Sequence, residues 1–192
     1  MRILKLGFLV ASAILLAPAC RKVVKPATSL TPSERVQLAL RVKDSPVTLT
    51  GKEEAHVETN KGAFTFKLYS DEAPNTVRNF VRLADAGFYN GLIWHRYVGS
   101  FVIQGGDPLG TGYGNSGYTI DYEESGMKHD KGAVGMARGP DKNSASCQFY
   151  ICLEAAPSLN GSYCVFGIVT DGMKVVKELR EQDTIRSITI TR

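Results

Sequence analysis

Short stretches in which apolar and polar residues alternate recur along most of this chain, and they constrain its fold more than any other feature. Phe64, Phe66 and Leu68 alternate with polar neighbours, as residues on one face of a half-buried strand do. The turn signal Asn60-Lys61-Gly62 precedes them, so this region predicts a hairpin with a first strand around Val57. Further strands are predicted in the two halves of Trp94–Pro108, which meet at Gly99 and Ser100, and at Ala133–Met136, Phe149–Leu153, Val165–Val169 and around Ile188 and Ile190.

Only two helical patterns interrupt these strands. One begins at Pro74, places apolar residues at helical spacing and stops at Gly87. The other fits Asp171 to Arg180, with three apolar residues on its inner face. Many short strands with one early and one late helix favour a closed barrel with plugged ends over a parallel sheet.

The amino terminus has the pattern of an export signal. Arg2 and Lys5 precede an apolar run of 12 residues, and Ala17-Pro18-Ala19 is a small-residue cleavage site. The run Leu-Leu-Ala-Pro-Ala-Cys resembles a bacterial lipobox, in which Cys20 is lipidated after cleavage. Ordinary cleavage at the same bond would leave a soluble protein with a free thiol. Either way, residues 1–19 are predicted to be a signal peptide, and the lipoprotein alternative anchors the exported protein to a membrane, facing the periplasm or the cell surface.

Residues 20–52 predict a tether, because this segment carries proline, threonine and serine with mixed charge. Within it, Thr31-Pro32-Ser33-Glu34 fits a capping box, whereas Val36, Leu38, Leu40 and Val42 alternate like a strand. A short helix is the preferred interpretation. Residues 53–192 are predicted to be the folded domain.

Charge and motifs exclude several functions. Without Arg2 and Lys5 the chain has 21 basic and 19 acidic residues, a balance that does not suggest a nucleic-acid partner. The G-x-G-x-x-G match at 112–117 lacks a following helix pattern, so nucleotide binding is not supported. The three histidines are scattered without ligand spacing, and no metal is implied. Cys152 and Cys164 could pair if their strands were neighbours, although small buried thiols are the commoner arrangement.

The stretch Trp94–Pro108 is the first candidate for a site. Alternation places Val102 and Gln104 on one face of its second strand, and Arg96 can look outward beside them. In Phe149–Leu153 and the residues just before it, the same alternation places Gln148 and Tyr150 on one face and core residues on the other. Two such strands side by side would form a groove with an apolar surface and a few fixed donors, which suits a small ligand.

Several motifs in register resemble the cyclophilins. They are His95-Arg96, Phe101–Asp107, Gly132–Ala137, Ser146–Ile151 and Leu159-Asn160-Gly161 with Val165-Phe166-Gly167. This resemblance covers about Glu54 to Arg192. It implies a mainly β fold, a closed eight-stranded antiparallel barrel capped by two α-helices, and peptidyl-prolyl cis-trans isomerase activity on proline-containing polypeptides, without a cofactor. Carried over by position, it implies Arg96, Gln104 and Phe101 as catalytic residues and Val102, Ala137, Arg138, Gln148, Tyr150, Leu159 and Tyr163 as substrate-binding residues.

Several groove positions differ from the best-known eukaryotic pattern. Val102, Arg138 and Tyr150 stand where methionine, asparagine and phenylalanine are usual, and Ser158 and Tyr163 replace a tryptophan and a histidine. Ser158, Tyr163 and Arg138 leave a second function open, a module that holds proline-bearing segments with little turnover. A third is a membrane-anchored chaperone whose tether contributes the binding surface. The export signal and the family together predict an isomerase that assists the folding of exported proteins. Nothing in the sequence demands more than a monomer.

Overall fold

The architecture is seen in a computed structural model that describes residues 30–192. This part of the chain contains eight strands and three α-helices. In chain order they are α1 (Pro32–Val42), β1 (Glu54–Thr59), β2 (Gly62–Leu68), α2 (Pro74–Asp85), β3 (Trp94–Val98), β4 (Val102–Gly105), β5 (Ala133–Met136), β6 (Phe149–Cys152), β7 (Val165–Asp171), α3 (Met173–Glu178) and β8 (Ile185–Thr191). The predicted strands and the two predicted helices of the domain are confirmed to within a few residues.

The eight strands form one antiparallel sheet that curls into a half-barrel, in the order β3-β4-β6-β5-β7-β2-β1-β8. The predicted closed barrel is not confirmed, because β3 and β8 are the two edges and no ladder joins them. A single bridge between Ile93 and Thr184 links the chain just ahead of these strands. The hairpin prediction is confirmed: β1 pairs with β2 across the turn at Asn60 and Lys61.

The hydrophobic core lies against the inner face of the sheet, where one helix supplies a central aromatic side chain. Phe80 on α2 packs against Phe66, Phe149 and Phe166, with ring centroids 5.2–5.6 Å apart. These three rings belong to β2, β6 and β7, so α2 joins strands from both halves of the sheet. Such aromatic clusters dominate the burial energy of a core.

The helix prediction within the tether segment is also confirmed. Thr31 caps α1 by accepting from the backbone N–H of Glu34, and the Glu34 carboxylate accepts from the N–H of Thr31 at 2.8 Å. The helix packs on the domain: Arg35 and Ala39 are buried, and the Arg35 guanidinium donates to the carbonyls of Phe88 and Asn90 at 2.6 and 2.7 Å. The second half of the 20–52 segment therefore does not hold the domain at a distance.

The predicted signal peptide at residues 1–19 and Cys20 lie outside the described residues. Between residues 30 and 192, no helix has the length and apolar character needed to cross a bilayer. The cysteines in this range, Cys147, Cys152 and Cys164, are buried free thiols.

Candidate active site

Three polar side chains form a chain of hydrogen bonds across the outer face of the sheet. Strand β4 pairs with both β3 and β6, with Arg96 opposite Gln104 and Gln104 opposite Tyr150. The Arg96 guanidinium approaches Gln104 Oε1 at 3.5 Å, and Gln104 Nε2 donates to Gln148 Oε1 at 2.9 Å. Arg96 itself is exposed. A cation is thus held at the rim of the face, with its remaining N–H groups free to meet a ligand.

An apolar floor lies beside this chain. It is a cluster separate from the main core, built of buried side chains with partly buried ones at its edge. The buried members that form the apolar floor are Val102, Ala133, Tyr150, Cys152, Ala156 and Val165, and the edge includes Phe101, Met127, Ala137, Leu159 and Tyr163. Because Ile103, Phe149 and Ile151 point into the main core, strand alternation alone places Val102 and Tyr150 on this outer surface.

The ring of Tyr150 is fixed from behind by a buried histidine. Its hydroxyl is 2.8 Å from Nε2 of His129, and Nδ1 of that ring is 2.9 Å from Oδ1 of Asn160. The two rings stack with an angle of 14°. Burial lowers the pKa of His129 and raises the pKa of Tyr150. Both groups are therefore neutral near pH 7, and the hydrogen-bonded pair holds the ring in one orientation.

Gly135 provides the space that this ring occupies. A methyl group added at Gly135 would lie 2.6 Å from Cε2 of Tyr150 and closer still to its Cζ and hydroxyl. Real side-chain atoms do not approach so closely, so the absence of a side chain on β5 is a condition for the flat Tyr150 ring in the floor.

A loop of residues 107–117, the groove loop, supplies the wall next to Gln148. The buried Asp107 carboxylate organises it by accepting from the backbone N–H groups of Leu109, Thr111 and Gly112 at 2.5–2.9 Å. Burial alone would raise the pKa of Asp107, but these backbone donors lower it below its usual range. The loop carbonyls of Gly112 and Gly114 accept both N–H bonds of Gln148, at 3.0 and 2.8 Å.

Two cavities flank the apolar floor. The larger, of about 400 Å³, shares Ala137 with the floor and is lined by Gln104, by the groove loop and by residues between 137 and 148. The smaller, of about 230 Å³, shares Met127 and Tyr163 with the floor. Because they share residues, the floor and both cavities form one continuous surface.

Arg138 closes one side of the floor by contacting Tyr163. Its guanidinium carbon lies 4.8 Å from the Tyr163 ring centroid, and its Nε and Nη2 donate to the carbonyl of Ser162. Nη1 donates to the carbonyls of Gly139 and Pro140. With these donors engaged by the protein, Arg138 acts as a brace between two loops, in contrast to Arg96.

The structure brings all ten sequence-predicted groove residues onto this one face, and their roles in binding or catalysis stay predictions. Cys20 lies outside the described residues. Sequence reasoning missed His129, Asn160 and the groove-loop carbonyls. A buried tyrosine hydroxyl needs a partner, and this requirement was the one available signal for His129, but the partner lies 21 residues away.

The arrangement suits chemistry that needs orientation and hydrogen bonding. One exposed guanidinium stands beside an amide pair and a rigid apolar surface. Within residues 30–192, no group of three or more His, Cys, Asp or Glu side chains could hold a metal ion. A reaction without a change in covalent bonds, in which a bound group is rotated and a developing lone pair is stabilised, matches these groups.

A family model and two similar proteins point to the same protein family. A family model described as cyclophilin type peptidyl-prolyl cis-trans isomerase/CLD matches residues 55–192. The peptidyl-prolyl cis-trans isomerase of Synechococcus elongatus is 42% identical over 139 residues, covering 71% of this chain and 95% of the relative. Peptidyl-prolyl cis-trans isomerase B of Bacillus subtilis is 44% identical over 127 residues, covering 65% of this chain and 88% of the relative.

Solved structures give the same result. A cyclophilin type peptidyl-prolyl cis-trans isomerase from Cryptosporidium parvum superposes with a TM-score of 0.69 at 31% identity, covering 73% of this chain and 98% of that chain. Another crystal structure of that protein, with a TM-score of 0.68, was determined in the presence of the dipeptide Ala-Pro.

Proposed function

The chain belongs to the cyclophilin-type peptidyl-prolyl cis-trans isomerase family and has that enzymatic activity, and we propose that it isomerises Xaa-Pro bonds on the apolar floor with Arg96 as the principal catalytic donor. The observation that carries this proposal is the hydrogen-bonded chain from Arg96 through Gln104 to Gln148, which runs along the edge of a rigid apolar surface.

The chemistry explains why a cation suits this position. Rotation about a peptide bond has a barrier of about 18–20 kcal/mol, because resonance gives the C–N bond partial double-bond character. In the twisted transition state the prolyl nitrogen recovers its lone pair. A donor aimed at that nitrogen therefore stabilises the twisted form more than either planar form. The Arg96 guanidinium stays charged and presents several donors in one plane.

Positioning must supply much of the remaining acceleration. An acceleration of about 10⁵-fold requires the barrier to fall by about 7 kcal/mol. One charge-assisted hydrogen bond contributes only about 1.5–3 kcal/mol. The prolyl ring would rest on Val102 and Tyr150 with Phe101 at the edge, while Gln104 holds Arg96 or the substrate carbonyl, so that rotation takes place in one geometry.

The direct test removes the guanidinium. We expect Arg96→Ala to lower kcat/KM for a short Xaa-Pro peptide by more than tenfold, and Arg96→Lys to recover only part of the loss because lysine lacks the planar set of donors. Arg186→Ala, which removes an exposed arginine from β8, is the matched control and should keep wild-type kinetics. An Arg96→Ala enzyme as fast as wild type, with an unchanged circular dichroism spectrum, would refute the assignment.

The cellular role follows from the amino terminus. We propose that the isomerase assists exported proteins and is held at a membrane by lipid on Cys20. Because α1 is docked on the domain, the link between Cys20 and the folded part of the chain would be short. Residues 21–31 can span at most about 40 Å when fully extended, so the groove would stay close to the membrane surface. Mass spectrometry of the mature amino terminus should find a lipid-modified Cys20; an unmodified cysteine or another first residue would contradict the anchor.

A further inference from the structure

Helix α1 lies outside the part of the chain that the family model matches, which begins at residue 55. It is nevertheless packed on the domain. Arg35 fastens it to the chain after α2, where its guanidinium donates to the carbonyls of Phe88 and Asn90. In addition, Arg82 of α2 donates to the carbonyl of Ser45, just after α1. These contacts set where the apolar side of α1 lies.

That apolar side contacts the last residue of the groove loop. A methyl group placed on Gly117 would lie 2.8 Å from Cγ1 of Val36 and 3.3 Å from Cγ of Leu40. The backbone of Gly117 therefore fits against both side chains without space to spare. Gly117 has a φ of +87°, a conformation that favours glycine. The helix thus contacts the loop at a bend.

The same loop holds the side-chain amide of Gln148. Between Asp107, which organises the start of the loop, and Gly117, which rests on α1, lie the carbonyls of Gly112 and Gly114 that accept from Gln148. Gln148 in turn accepts from Gln104. A continuous set of contacts therefore leads from α1 to the polar side of the groove.

We propose that α1 is a positioning element for the isomerase site, with Val36 and Leu40 as the positioning residues that hold the groove loop and, through it, Gln148. This inference rests on the proposed function of the groove. Ser116 also ties the loop to the domain through Ser146, so the loop keeps its fold when α1 loosens. What the loop loses is the fixed orientation of its carbonyls, and the effect falls on substrate binding.

The experiment compares two faces of the same helix in the full chain. The variant Val36→Ser/Leu40→Ser removes the apolar contact, and Gln37→Ser/Arg41→Ser makes equivalent changes at exposed positions. For an Xaa-Pro peptide we expect the first variant to raise KM by about three- to tenfold, since a loop and an amide must be reordered on binding, with kcat within about twofold of wild type. Amide exchange at 112–117 should accelerate in this variant alone.

A conservative substitution in α1 tests whether its apolar contact, and not the exact side chain, matters. Leu40→Met keeps an apolar side chain of similar volume and should keep the wild-type KM. If the serine pair does not stay folded at the assay temperature, Val36→Ala provides the same comparison with a smaller loss. An unchanged KM and unchanged loop exchange in a variant that has lost stability would show that α1 is only structural, and would overturn the inference while leaving the isomerase assignment intact. A wild-type enzyme without isomerase activity, by contrast, would remove the proposed function itself.

Discussion

Removal of the Tyr150 hydroxyl tests whether its hydrogen bond to His129 contributes to stability and not to catalysis. In Tyr150→Phe the ring remains, but Nε2 of His129 loses a partner at 2.8 Å. His129 is only 2% exposed, so water cannot replace the lost bond without rearrangement. A buried polar group left unsatisfied costs about 1–3 kcal/mol. At about 2–4 °C per kcal/mol for a chain of this size, a loss of 2 kcal/mol lowers the Tm by about 4–8 °C.

The assay pairs urea unfolding with peptide isomerisation. We expect Tyr150→Phe to lower the free energy of unfolding by the amount above and to keep kcat/KM within about threefold of wild type, because the flat apolar surface is preserved. His129→Ala combined with Tyr150→Phe should cost less than the sum of the two single changes, since the second change removes a bond that the first has already broken. A Tyr150→Phe protein as stable as wild type would show that the hydroxyl does not hold the ring.

Three further changes test other parts of the structure. Gly135→Ala should lower kcat/KM by more than tenfold, because the added methyl displaces the Tyr150 ring; Gly99→Ala, whose methyl meets nothing closer than 3.6 Å, is the control. Burial lowers the pKa values of His95 and His129 from 6.5, so the unfolded chain binds more protons, and the free energy of unfolding should fall as the pH drops through 6.5. His129→Gln should reduce that slope in urea titrations at several pH values. Arg35→Met should destabilise the protein by about 2 kcal/mol or more in the same assay, since two carbonyls lose a charged donor.

The faces of the two groove strands were accessible from sequence because side chains in a strand point alternately to opposite faces. Once Ile103 and Ile151 are assigned to the core, Val102 and Tyr150 must lie on the other face. The structure adds the pairing of the two strands, which places Gln104 opposite Tyr150. Residues whose position depends on such local periodicity were predicted correctly.

Features that depend on contacts between distant segments were not accessible. Pro74 predicted where α2 begins, but the groups that cap it are the carboxylate oxygens of Glu123, which accept from the backbone N–H groups of Asn75 and Thr76. The docking of α1 was missed for the same reason. Its capping box predicted a helix, but the surface that the helix contacts includes Gly117, 77 or more residues further along the chain. The closed barrel failed as a prediction because periodicity gives the number of strands but not whether the two edge strands meet.

Three of the groove positions that differ from the eukaryotic pattern are neighbours in space, because Tyr163 contacts both Tyr150 and Arg138. The rings of Tyr150 and Tyr163 meet edge to face at 6.1 Å, and the Arg138 guanidinium lies over the Tyr163 ring. Residues in contact are not energetically independent. Arg138 donates to the carbonyl of Ser162 while its guanidinium covers the Tyr163 ring, so Tyr163 has a partner at each of the other two positions. Three residues that differ from the eukaryotic pattern thus still form a packed surface beside Arg96.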